Sequence, residues 1–128
     1  MRAFKYSAVF LVSIALVAPP VADARSDVKI TKSQDAVKVI RVTAERFAYT
    51  PSEIVVEKGT VIEFHLTSDD TDHGFRIVGT DVNAVIPKRR RGEAVVKYVA
   101  DTVGRFVIEC TRPCGAGHTA MRATLVVK

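Results

Sequence analysis

The chain has 128 residues, 19 basic and 14 acidic, for a net charge of +5 at pH 7 with 48% hydrophobic residues. That length fits one domain. The mildly basic balance favours solubility and acidic partners, but the arginine–aromatic interleaving of RNA platforms is missing, which argues against a nucleic-acid partner.

Reading from the start, "MRAFK" is a short basic stretch and "YSAVFLVSIALVA" an uncharged, mostly apolar run. Ala22-Asp23-Ala24 fits a small-x-small cleavage site, so residues 1–24 are expected to be a signal peptide. A spanning helix needs about 20 apolar residues, and Pro19-Pro20 end this run early. No stable membrane span is expected after cleavage, and the protein is expected to be periplasmic or otherwise exported. Its remaining 17 basic and 13 acidic residues leave it mildly basic.

Residues 25–36 are polar without clear period and read as a flexible N-terminal segment or a weak first strand. From Val37 to Lys128 the pattern is β. "VKVIRVTAERF" alternates, with Val37, Val39 or Ile40, and Val42 as its apolar beats. Pro51 ends that strand. "EIVVE" forms the next, and Lys58-Gly59 turns the chain. "VIEFHL" places Ile62, Phe64 and Leu66 on one face, with Glu63 and His65 on the other. "TSDDTDHG" reads as a loop by composition, with a strand starting at Phe75. Further strands are expected at Val82–Ile86, in "EAVVKYVA", in "RFVIEC" and in "MRATLVVK". Seven to eight short strands with no convincing amphipathic helix predict an all-β, Greek-key β-sandwich over residues 37–128.

The chemistry concentrates in "CTRPCGAGHTAM", Cys110 to Met121, which holds both cysteines of the chain, a histidine and a methionine. Thiolate and thioether suit copper in its lower oxidation state, and imidazole keeps the higher one accessible. Zinc competes for Cys and His but rarely takes Met. Calcium and magnesium want oxygens. Gly115 and Gly117 would let the backbone wrap closely around a metal. Pro113 stiffens the turn. A further histidine is needed, and His73 in "DDTDHGF" is the candidate.

Rival readings exist at each point. An exported chain makes a Cys110–Cys114 disulfide the default alternative, although so short a loop is stabilised least by closure. A mononuclear blue-copper site would use His73, Cys114, His118 and Met121, leaving Cys110 idle. Met121 could be a core gap-filler. His65 reads as a solvated or paired surface histidine. The run Lys88–Arg91 is either a solvated loop or a docking patch for an acidic partner.

The Cys110–Met121 segment resembles the C-x3-C-G-x-G-H-x2-M signature of the dinuclear Cu-A site, found in the soluble domain of cytochrome c oxidase subunit II and in nitrous-oxide reductase. "TSDDTDHGFRI" looks like the upstream histidine segment, and "FAYTPSEIVVEKGTVIEFHLT" like the opening of the wider cupredoxin group. The resemblance spans about residues 37–128. It implies that Cys110 and Cys114 bridge two coppers, that His73 and His118 each bind one, that Met121 is a weak axial ligand and that the Arg112 carbonyl completes the set. It implies a one-electron carrier, not an enzyme alone, serving a redox partner such as a cytochrome or an oxidase. A copper delivery or storage module for oxidase assembly is the alternative. Two departures stand out: Arg112 occupies a position where the group usually has Glu, and the chain has no tryptophan.

Overall fold

The computed structural model describes residues 37–128. The expected signal peptide at 1–24 and segment at 25–36 lie outside the described residues. Nine strands follow in order: β1 (Lys38–Glu45), β2 (Ala48–Thr50), β3 (Glu53–Val56), β4 (Val61–Ser68), β5 (His73–Ile77), β6 (Asn83–Ile86), β7 (Ala94–Val99), β8 (Gly104–Glu109) and β9 (Arg122–Val127). The helical content among the described residues is one 3-10 turn, His118–Ala120.

The strands form two mixed sheets, ordered β2-β1-β4-β7 and β3-β9-β8-β5-β6. The pairs β1–β4 and β3–β9 are parallel, and the remaining ladders are antiparallel. The all-β sandwich is as the alternation requires. The count exceeds seven or eight because the chain turns at Arg46-Phe47, so Ala48–Thr50 folds back on β1 as a short separate strand.

Period-two patterning explains the layers. In β4, Ile62, Phe64, Leu66 and Ser68 point inward while Val61, Glu63, His65 and Thr67 are part-exposed. In β1 the buried phase is Val42 and Ala44, with Ile40 half-buried, whereas Val37 and Val39 are exposed. Ile40, not Val39, is therefore the inward beat, set by the register that places Ile40 opposite Phe64. The second sheet contributes Ile54, Phe75, Ile77, Ile108 and Leu125 to the same core. Phe75 is its hub: its ring lies 5.3 Å from Phe64 and edge-on to Tyr49 at 6.0 Å. Each such large side chain stabilises the fold by about 1.5–3 kcal/mol on burial.

Strand direction decides which ends meet. β4 runs toward Ser68, and β5 starts beside it at His73. β8 runs toward Glu109, and β9 leaves from Arg122, antiparallel to it. The loops 69–72 and 110–121 thus emerge at the same end of the sandwich.

Candidate metal centre

Five of the six expected donors sit in one loop, held by its two ends: the Cys110 amide donates to the Met121 carbonyl at 3.3 Å. The loop joins two paired strands of the rigid sheet, as expected. Across it, Cys110 Sγ and Cys114 Sγ lie 3.9 Å apart and are not bonded to each other. The chain therefore carries two free, buried thiols rather than a disulfide.

The other donors divide between these sulfurs. His73 Nδ1 lies 4.0 Å from Cys110 Sγ, and the Arg112 carbonyl oxygen 3.2 Å from that same sulfur. His118 Nδ1 lies 4.0 Å from Cys114 Sγ, and Met121 Sδ 3.9 Å from it. Donor atoms of His73, Cys110 and Cys114 lie within 4.8 Å of one another. All six expected positions converge. Cys110 Sγ faces His73 Nδ1, the Arg112 carbonyl and Cys114 Sγ together. Met121 is buried and also faces a thiol, so its packing and donor roles coincide.

His73 differs from its expected setting in one respect. It is the first residue of β5, not a loop residue, and pairs with Ile86 of β6. Its side chain is fully buried. Its Nε2–H donates to Asp70 Oδ1 at 2.7 Å, which leaves the Nδ1 lone pair aimed at the sulfurs. A carboxylate on the outer ring nitrogen fixes the tautomer and ring angle of a metal-binding histidine. Burial pushes the Asp70 carboxyl up, but hydrogen bonds from His73 and from the Arg46 and Thr71 amides outweigh it and hold the group below the usual carboxylate range.

A second layer surrounds the donors, and most of it lies far away in sequence. The Gly74 amide points at Cys110 Sγ at 3.3 Å, and Tyr49 Oη donates to the Gly74 carbonyl at 2.5 Å. A Cβ at Gly74 would overlap the Thr111 backbone, so this approach requires glycine. Arg46 Nε donates to the Cys114 carbonyl at 2.6 Å. Phe47 lays its ring on the loop, where a Cβ at Gly117 would overlap it. Gly117 thus makes room for an aromatic ring, not only for a metal as its place in the motif suggests. Arg112 pairs with Asp72 at 2.6 Å. Asp70, spaced three before a candidate histidine, was the one visible signal for this layer. Arg46 and Phe47 carried none.

Burial, then the neighbouring Cys110, push the Cys114 thiol up to about 11. Burial, then Cys110, also push the Tyr49 phenol well above its usual range. A cation that takes the Cys114 sulfur must displace its proton, so uptake there rises with pH. Two thiols, two imidazoles, a thioether and a carbonyl, split evenly across a sulfur pair, fit two soft cations better than one hard one.

No family model matches the chain. A curated relative is 41% identical over 91 residues, covering 70% of this chain: cytochrome c oxidase subunit 2 of Thermus thermophilus. The chain carries a Cu-A-type motif on a cupredoxin-like fold. It spans 64% of that relative's length. Among solved structures, the chain superposes on the periplasmic domain of subunit II of cytochrome oxidase from Bradyrhizobium japonicum with a TM-score of 0.64 and 20% identity, covering 71% of this chain and 83% of that one. Auracyanin A, a "blue" copper protein of Chloroflexus aurantiacus, shares the cupredoxin fold at a TM-score of 0.58 and 15% identity, covering 70% and 98%.

Among the described residues no helix is long and apolar enough to cross a membrane. His65 takes no part in the centre. It lies on the outer face of β4, between Glu63 at 2.8 Å and Glu93 at 3.1 Å.

Proposed function

We propose that this cupredoxin is an exported one-electron carrier that holds a copper pair. The observation that carries the reading is the even division of donors: one imidazole and one weak donor against each of two free sulfurs 3.9 Å apart. Cys110 and Cys114 would hold the pair at its centre. His73 with the Arg112 carbonyl, and His118 with Met121, would complete the two halves. Copper, when bound, supplies a one-electron couple.

The chain's own residues do the rest. The strands β5, β8 and β9 hold the donors on a packed frame, so little atomic movement accompanies a change of charge. The Gly74 amide faces Cys110 Sγ and favours its negative charge. Asp70 keeps the His73 proton on Nε2. Burial of both thiols excludes water from them. The partner is a redox protein such as a cytochrome, or an oxidase. The expected signal peptide and the periplasmic setting of a similar fold support export.

Copper loading followed by metal analysis and paramagnetic resonance tests this. Two coppers per chain sharing one unpaired electron are expected. A ratio of one, or coupling to a single copper nucleus, would overturn the dinuclear reading. Colourless protein that holds only reduced copper would favour delivery instead.

A further inference from the structure

The sequence run Lys88–Arg91 takes a defined place in the fold. β6 ends at Ile86, directly opposite His73. The four cations then form a tight turn, closed by the Arg91 amide on the Lys88 carbonyl at 3.0 Å. Arg90 adopts a positive φ of 62° at its apex. The turn is anchored, because the Arg89 amide donates to the Asp70 carbonyl at 3.1 Å. Asp70 is the residue whose side chain holds His73. The cationic turn therefore sits one residue away from a candidate copper ligand.

All four side chains are exposed. Among the described residues none of them joins an ion pair. The same end carries Arg46, against the Cys114 carbonyl, and Arg112, against Asp72. The local acids are largely engaged: Asp70 by His73 and two amides, Asp72 by Arg112. Asp69 is the remaining exposed acid of that loop. With Glu45 and Glu93, which the β1–β4 and β4–β7 registers also place at this end, six cations face five acids, and the unpaired positive charge is concentrated on the Lys88–Arg91 turn. Four adjacent like charges repel one another in the free protein, and an acidic surface would relieve that repulsion. A fixed turn beside the redox centre is where such relief would also bring a partner into electron-transfer range.

We propose that the Lys88–Arg91 turn, with Arg46 and Arg112, is the docking surface for an electron-transfer protein with an acidic face. The proposal rests on the carrier reading above for the partner's class, and on the turn's position for its charge. Opposite charge across an interface mainly accelerates encounter, and salt weakens it.

The test uses copper-loaded protein and two reduced c-type cytochromes as donors, one acidic and one basic. Stopped-flow rates are recorded at low and high salt, and association is measured separately by titration. The acidic cytochrome is expected to react about ten-fold faster than the basic one at low salt, with the advantage lost at high salt. The variant carrying Lys88→Gln, Arg89→Gln, Arg90→Gln and Arg91→Gln should lose that advantage while hydroquinone, an uncharged reductant, still reduces its copper at the unaltered rate. Equal rates for the two cytochromes, or an unchanged rate in the variant, would overturn the proposal. Salt-dependent association of the acidic cytochrome that needs the four cations but passes no electron would uphold the docking surface and sink the carrier reading. Binding to phosphatidylserine vesicles without preference between the cytochromes would assign the turn to a membrane and also overturn it.

Discussion

Two histidines of this chain each lean on a carboxylate, yet their surroundings give them opposite characters. His73 is fully buried, with Asp70 on one ring nitrogen and Cys110 facing the other. His65 lies on the outer face of β4 with Glu63 on one nitrogen and Glu93 on the other. A carboxylate partner therefore does not mark a ligand. The second nitrogen decides: at His73 it is free and aimed at sulfur, whereas at His65 both are consumed by acids that favour the charged ring.

The sharpest way to break that contrast is to remove the sulfurs. The Cys110→Ser, Cys114→Ser double variant leaves His73 with a carboxylate and no soft neighbours, a second His65 in effect. Stoichiometric copper should vanish from metal analysis, with the strand content by circular dichroism retained. Full loading of this variant would sink the assignment of the centre.

Altering the carboxylate should come next in size. Asp70→Asn keeps the shape but weakens the hold on the His73 proton, and copper affinity should fall about 10- to 100-fold. The matched Glu63→Gln change beside His65 should leave copper affinity untouched. Competition with a chelator of known strength reads both, and equal effects would erase the distinction.

A third comparison works through space. Gly74→Ala drives a Cβ into the Thr111 backbone, and overpacking of this kind costs about 1–3 kcal/mol. Thermal or denaturant unfolding should show the loss in metal-free protein, and a neutral result would mean the loop yields freely.

The smallest effect is the pH response of His65. Hydrogen bonding to Glu63 raises its pKa, with Glu93 adding to that, and Glu63 is lowered in turn, first by its hydrogen bond to His65. Lys97 faces the same carboxylate at 3.7 Å. The raised histidine contributes stability that is fully present below its unfolded pKa, about 6.5, and is lost as pH rises through the folded value. The lowered Glu63 contributes above about 4.3 and loses that as pH falls. Wild type should therefore exceed His65→Gln in melting temperature between about pH 4.5 and 6.5 and match it at alkaline pH. An advantage that grows with pH would contradict this.

Much of this was readable in the chain. Strict alternation in "VIEFHL" placed Ile62, Phe64 and Leu66 in the core, and the Cys110–Met121 spacing brought five donor positions to one loop. What escaped depended on contacts between distant segments. The inward phase of β1 is set by its pairing with β4, so Val39 and Ile40 could not be separated by pattern alone. β2 became a strand because the chain folds back at Arg46-Phe47, where composition offers no turn signal. His73 looked like loop because Asp, Thr and Gly surround it, but ladder bonds to β6 make it strand. The ring of Phe47 over Gly117 is a meeting of residues 70 positions apart in sequence, and no local rule reaches that far.

The amide of Cys110 on the carbonyl of Met121 means that the loop leaves its sheet and returns at neighbouring points. Closure of such a segment depends only weakly on its length, and surface connections tolerate replacement better than strands do. Five of the six candidate donors travel in that single removable cassette, with only one embedded imidazole left behind on the scaffold. Exchanging the cassette alone should therefore suffice to change which metal, and how many ions of it, this sandwich carries.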